Sequence, residues 1–329
     1  MFIENLMIEN LLFFIGACLL LVVSAELLVK SLTKVAFHLK LSEFVVGFMI
    51  VALATSLPEL FVGITAVLAG EPELSVGNVL GANIIDLTLV IGIITLLRKG
   101  IKVETKAVRT DTLYMFIIAM LPLVLMLDQK ICRVDGFILL SAFFLYVLRL
   151  FKQERRFRET IDHVPEGVFI KSIVYTCISL LLLLLSAEIL VKSASFLAGE
   201  GGLGIPEILI GLLFISFGTT LPELTFEAKA VLMKHRYMAL GDLIGSVVAN
   251  TTLVLGVVAL LSNRPIEPNF LLFLTSSFFM IVVAFLFTTF VECEKHILWQ
   301  EGVALIMLYV LFVIVLFSIY GVERLYGIS

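Results

Sequence analysis

The sequence carries the same text twice, and this constrains its fold more than any other feature. Ser24-Ala25-Glu26-Leu27-Leu28-Val29-Lys30-Ser31 returns as Ser186-Ala187-Glu188-Ile189-Leu190-Val191-Lys192-Ser193. Glu43 to Gly92 aligns without gaps on Glu207 to Gly256 at a constant offset of 164, with 16 of 50 positions identical. The repeated text is also apolar: 60% of the 329 residues are hydrophobic, 15% are charged, and the mean hydropathy is +1.13. A water-soluble globule is excluded by that composition. Continuous apolar runs such as Ile173 to Leu185 and Phe270 to Phe287 exclude a transmembrane barrel, whose strands alternate over about 10 residues.

A helix needs about 20 apolar residues to cross the bilayer. Runs bounded by Gly, Pro or charge give ten spans, near residues 9–33, 42–69, 73–97, 110–127, 135–151, 168–197, 205–232, 237–261, 269–290 and 301–321. The expected fold is thus an all-α integral membrane protein: a first five-helix half over 1–151, a short linker over 152–167 and a second half over 168–329. Five is odd, so the second half starts from the opposite side and the two are inverted. Inverted repeats of this kind build secondary transporters, with the binding site near the midplane between them.

The basic residues set the orientation. Lys30, Lys34 and Lys40, the cluster Arg98 to Arg109, the linker cluster Arg149 to Lys171, and Lys229, Lys234, Arg236 and Lys295 all fall in alternate loops. Those loops are cytoplasmic by the positive-inside bias, which puts both termini outside and the central linker inside a cell (plasma or inner) membrane. Glu4 and Glu9 precede the first apolar run and no Lys or Arg comes before Lys30, so that run does not read as a secretory signal and is expected to stay in the membrane. Cys18, Cys132, Cys177 and Cys293 form no Cys-x-x-Cys pair and suggest neither disulfides nor zinc. With 23 basic and 27 acidic residues and no basic domain, nucleic acid is not an expected partner.

The second span of each half is interrupted by Thr55-Ser56-Leu57-Pro58-Glu59 and by Thr219-Thr220-Leu221-Pro222-Glu223. A mid-helix proline removes a backbone donor, which frees carbonyls of the preceding turn, around Ala52 to Thr55 and Ser216 to Thr219. A carboxylate at membrane depth is costly unless neutralised, which marks Glu59 and Glu223 as functional. The following span of each half adds Gly81-Ala82-Asn83-Ile84-Ile85-Asp86 and Gly245-Ser246-Val247-Val248-Ala249-Asn250, with Ser246 and Asn250 on one helical face. His38, His163, His235 and His296 all lie in loops or at span ends. An all-oxygen site with acids suits hard cations such as calcium and suits zinc or copper poorly.

These paired segments resemble the α-repeats, here about 43–93 and 207–257, of the cation/calcium antiporter superfamily, sodium/calcium exchanger branch. The long regulatory insert of animal exchangers is missing, so the chain looks like a minimal prokaryotic-type member. The resemblance implies a diamond of four ion positions, filled in turn by one calcium or several sodium ions, and no cofactor beyond these transported ions. It implies calcium at Glu59, Glu223, Thr55 and Thr219; sodium-binding hydroxyls at Ser56, Thr220 and Ser246; a flanking pair at Asp86 and Asn250; and carbonyl ligands at Ala52 and Ser216. It also implies that the first and sixth spans slide against the remaining eight, and a monomer is the expected unit. Two positions depart from the pattern. Ala82 stands where Ser246 supplies a hydroxyl, and the acid of the flanking pair is in the first half. Coupling to protons instead of sodium is therefore the alternative reading.

Other polar residues have plainer readings. Glu26 with Lys30 and Glu188 with Lys192 have the order of helical i,i+4 ion pairs. Glu227, one turn past Glu223, and Asp242, one turn before Ser246, would line the access path or, for Glu227, pair with Lys229. An intramembrane metalloenzyme would need His or Cys at depth, and a channel would not need two inverted halves crossing at an acid pair. A transporter, not an enzyme, is the expected class.

Overall fold

The computed structural model describes residues 2–38, 51–103, 106–154, 165–199, 205–233, 235–293 and 296–326. The start of the expected second span, 42–50, and most of the 152–167 linker lie outside them. Among the described residues there are ten long helices: α1 (Phe2–His38), α2 (Ala52–Ala69), α3 (Pro72–Arg98), α4 (Val108–Asp128), α5 (Arg133–Glu154), α6 (Glu166–Ala198), α7 (Glu207–Leu232), α8 (Arg236–Leu261), α9 (Phe270–Cys293) and α10 (Trp299–Tyr326). All but α5 are long and apolar enough to cross a membrane. Helix α5 is 22 residues long but carries charged residues at both ends, with Arg133, Asp135, Arg149, Lys152 and Glu154.

Two apolar clusters divide the bundle. Helices α1 and α6 bury Phe14, Ala17, Leu21, Ala25 and Leu28 against Leu183, Ala187, Leu190 and Ala194, at the three- and four-residue spacing of a helical face. At 37 and 33 residues they are far longer than a perpendicular span needs, and Thr176 Oγ1 donates to Ser31 Oγ between them at 3.0 Å. The second cluster joins α3, α4, α5, α8, α9 and α10. Helices α2 and α7 form the seam: Ala54, Val62 and Ala66 of α2 and Ile210 and Ile215 of α7 belong to the first cluster, whereas Ile208, Leu212 and Val231 of α7 belong to the second.

Both seam helices are irregular. Ser56 breaks α2 between Ala52–Thr55 and Leu57–Ala69, and α7 is widened by a π turn at Gly211–Ile215 before running through Pro222. Helices α3 and α8 carry π turns at Asp86–Val90 and Asn250–Val254, again 164 residues apart. Such turns concentrate at functional sites because the extra residue breaks the side-chain register. Helix α3 crosses α7 in backbone contact: a Cβ at Gly77 would collide with the Ile208 carbonyl, one at Gly81 with the Leu212 carbonyl, and one at Gly211 with the Leu74 carbonyl. At opposite ends of the bundle two short antiparallel pairings tie the halves together, β1 (Ile101–Lys102) with β2 (His296–Ile297), and Ile131 with Ile266.

Candidate functional site

The seam positions a polar interior. Thr55, Ser56 and Glu59 on α2, Asp86 on α3, Ser216, Thr219, Thr220, Glu223 and Glu227 on α7, and Asp242, Ser246 and Asn250 on α8 are all buried. Two contacts repeat across the halves. Thr55 Oγ1 donates to Asp242 Oδ1 at 3.0 Å, and Thr219 Oγ1 donates to Asn78 Oδ1 at 3.0 Å. Each threonine and each partner is displaced by 164 residues from its counterpart, so one geometry is built twice, once on a carboxylate and once on an amide. Thr55 Oγ1 also lies 3.1 Å from Ser246 Oγ. The first-half residue that matches Ser246 is Ala82, which has no hydroxyl to offer.

Charge is the more telling property. Five carboxyl groups, Glu59, Asp86, Glu223, Glu227 and Asp242, are fully buried, and no lysine, arginine or histidine is buried among the described residues. The two other buried acids are each met by an arginine: Asp111 by Arg149 at 2.6 Å and Glu73 by Arg264 at 3.1 Å. Both oxygens of Glu59, Asp86, Glu223 and Glu227, and Oδ2 of Asp242, lack a hydrogen-bond partner, as do Ser56 Oγ and both polar atoms of Asn250. Glu59, Asp86, Ser246 and Thr55 lie within electrostatic range of Glu223, and Glu223 and Glu227 within range of Asp86. An ionised carboxylate buried without a counter-charge costs several kcal/mol, so these groups must either hold protons or be neutralised by charge that the buried side chains described here do not supply. Among the described residues no three His, Cys, Asp or Glu side chains converge on one point. Two glutamates supplemented by hydroxyl and carbonyl oxygens remain the available donor set, one suited to hard cations.

The residues singled out in the sequence come together, with three refinements. Pro58 and Pro222 carry no N–H for the carbonyls of Ala54 and Gly218, four residues earlier. The Ala52 carbonyl accepts from Ser56 N and Thr55 Oγ1, both at 3.1 Å, and that of Ser216 from Thr219 Oγ1 at 3.2 Å and Thr220 Oγ1 at 2.7 Å. Thr220 thus turns its hydroxyl back into its own helix. Glu227 and Asp242, expected beside an access path, are closed off inside, and Asp242 belongs to the Thr55 contact. Lys229 pairs with Glu26, not with Glu227, at 2.5 Å. The i,i+4 pairs form as expected, Lys30 with Glu26 at 2.8 Å and Lys192 with Glu188 at 2.6 Å.

Sequence reasoning gave no role to Asn78 or Asn83. Asn83 Nδ2 donates to Thr251 Oγ1 at 2.8 Å, joining α3 to α8 beside the site. A buried asparagine one position from the Ala82/Ser246 register was the available signal.

Comparison with known proteins supplies the context. The profile described as "Sodium/calcium exchanger protein" matches residues 9–152 and 171–318. The CaxA protein of Alkalimonas amylolytica is 30% identical over 79% of this chain and 83% of its own. The sodium/calcium exchanger MaX1 of Methanosarcina acetivorans is 28% identical over 94% of this chain and 99% of its own. A solved structure of the sodium-calcium exchanger NCX_Mj, soaked with Na+ and Sr2+, superposes with a TM-score of 0.69 at 26% identity, covering 93% of this chain and 98% of that one.

Proposed function

Because the chain belongs to the sodium/calcium exchanger protein family, we propose that it is a secondary antiporter that moves calcium against sodium, binding both between its two inverted five-helix halves. The observation that carries this reading is the set of five buried carboxyl groups without a buried cation, in a protein that neutralises its other buried acids with arginine. Glu59 and Glu223 together carry two negative charges, which one calcium ion or two sodium ions neutralise. Thr55 and Thr219 supply oxygens to calcium; Ser56, Thr220 and Ser246 supply hydroxyls to sodium; Asp86 and Asn250 flank the centre, and the carbonyls of Ala52 and Ser216 complete the shell. Asp242 and Glu227 deepen the negative field on the side of the second half.

Exchange follows from the same electrostatics. Closing an empty, ionised site away from water leaves uncompensated charge in a low-dielectric interior, at a cost of several kcal/mol per group. The unloaded carrier therefore does not return, and each passage of one ion obliges the passage of the other. The apolar face that α1 and α6 share, Leu21, Ala25 and Leu28 against Leu183, Ala187 and Leu190, supports their movement as one body across the seam helices that hold the ligands. We place both termini outside and the 152–167 linker in the cytoplasm of a cell membrane, as the basic loops direct. The monomer contains every proposed ligand.

Proton coupling is the second reading, favoured by Ala82: the first half lacks the hydroxyl with which Ser246 faces Thr55. Uptake of radioactive calcium into proteoliposomes separates the two. Sodium-loaded vesicles diluted into sodium-free buffer accumulate calcium if sodium is the driver, and potassium-loaded vesicles do not. Accumulation that follows an imposed pH jump and ignores sodium overturns sodium coupling, and accumulation with neither gradient overturns antiport.

A further inference from the structure

Glu227 and Asp242 occupy one level of the bundle. Glu227 follows Glu223 by four residues on α7, and Asp242 precedes Ser246 by four residues on α8. At a rise of about 1.5 Å per residue, each sits about 6 Å along its helix from the central set. Helices α7 and α8 pack together and are joined by residues 233–235 alone, so both displacements point to the same end, the one that carries Lys229 and Arg236. Both carboxyl groups are fully buried, and Asp242 lies within electrostatic range of Glu227. Lys229, two residues beyond Glu227, is more than half exposed, so this level lies between the central glutamates and water.

The oxygens here are offered inward and left unused by the chain. Thr55 Oγ1 donates to Asp242 Oδ1 at 3.0 Å and lies 3.1 Å from Ser246 Oγ, which leaves Asp242 Oδ2 without a hydrogen-bond partner. Neither oxygen of Glu227 has one. A buried carboxyl that carried its own proton would need an acceptor for its O–H, and two carboxyls sharing a proton would lie within hydrogen-bond distance of each other. Glu227 meets neither condition. A cation between the two groups answers both charges and the three unpartnered oxygens together, and carboxylate oxygens select a hard cation.

The first half provides an internal control. The positions that match Glu227 and Asp242 are Gly63, packed against Ser75 and Val258, and Asn78, whose carbonyl oxygen accepts from Thr219. The duplicated frame carries this pair of acids on one side only.

We propose that Glu227 and Asp242 form a second cation station, which takes calcium between the Glu59–Glu223 centre and the end of the bundle marked by Lys229, cytoplasmic in the proposed orientation. The station rests on the antiport reading of that centre. Two divalent ions about 6 Å apart repel strongly in a buried site, so the station and the centre fill in turn, and calcium passes from one pair of carboxylates to the next. Thr55, which donates to Asp242 and is proposed to ligate calcium at the centre, joins the two levels.

Equilibrium binding of radioactive calcium to purified protein in detergent, at constant ionic strength set with choline chloride, tests the station apart from the centre. Glu59→Gln/Glu223→Gln removes the central pair, and this variant is expected to retain one calcium per chain. Adding Glu227→Gln to it should weaken the remaining binding by about tenfold or more, whereas adding Glu207→Gln, which removes a carboxyl at the opposite end of α7, should leave it unchanged. A variant without the central pair that binds no calcium, or that binds it equally after Glu227→Gln, overturns the station and leaves the centre standing. Wild-type protein that binds no calcium overturns the antiport reading, and the station with it. Matching elution profiles and melting temperatures exclude misfolding as the cause.

Discussion

The two halves of the site differ in charge far more than in shape. Thr55 on Asp242 and Thr219 on Asn78 have the same 3.0 Å contact, and the π turns in α3 and α8 begin at matching positions, on Asp86 and Asn250. Around this shared frame the first half contributes Glu59 and Asp86, whereas the second contributes Glu223, Glu227 and Asp242. Position 63, which matches Glu227, is a glycine with no room for a side chain: a Cβ there would lie 2.8 Å from Ser75 Oγ and from Val258. The threonine contacts and the π turns thus repeat between the halves, while the side chains make one flank of the site more negative. Under the proposed function, a cation bound between the halves meets a graded field, and the two faces need not bind with equal strength.

The largest effects are expected at the glutamate pair shared by the two halves. Glu59→Gln and Glu223→Gln each remove one of the two charges proposed to balance calcium, and each is expected to lower calcium uptake by about 100-fold, on the order of 2.7 kcal/mol. Equal losses would mark the pair as symmetric. Next in size, Gly81→Ala drives a methyl group into the Leu212 carbonyl at the α3–α7 crossing, where overpacking costs about 1–3 kcal/mol or more; lower melting temperature and poor recovery of monodisperse protein check it.

Asp242→Asn converts the second-half contact into a copy of the first. The threonine bond should survive and apparent calcium affinity should fall about tenfold, about 1.4 kcal/mol, read from the calcium concentration for half-maximal uptake. Ala82→Ser supplies the hydroxyl that Ser246 provides opposite, and a gain of about 1 kcal/mol should show as a several-fold lower sodium requirement. The smallest effect is expected from Glu26→Gln. Glu26 links α1 to Lys229 on α7, and the position matching Lys229 is Thr65, which cannot form such an ion pair. The pair is half-exposed and worth about 0–1 kcal/mol, so exchange rates should change by less than about fivefold.

Much of this architecture was legible in the sequence, because duplication and hydropathy are properties of the chain itself. The prolines beside Glu59 and Glu223 pointed to interrupted helices in both halves, but only α2 breaks, at Ser56, whereas α7 runs through Pro222; Ser246 and Asn250 fell on one face by spacing alone. The α1–α6 pairing was less accessible: the Ser-Ala-Glu-Leu-Leu-Val-Lys-Ser text suggested helix ion pairs, yet its buried alanines serve a close helix–helix contact. Glu227 and Asp242 read as bordering residues because their depth depends on how α7 and α8 pack. Whether the Ala52 and Ser216 carbonyls are free is likewise a matter of local winding, since threonine hydroxyls occupy them here. The β1–β2 pairing, two residues on each side, lies below what residue patterning can signal.

Crystals soaked with strontium, a heavier stand-in for calcium, would test the central claim by anomalous scattering. One strong peak is expected between the Glu59 and Glu223 carboxylates, within coordination distance of Thr55 and Thr219, and it should be lost in Glu223→Gln. A peak elsewhere in the bundle, or none between the two glutamates at saturating strontium, would contradict the claim.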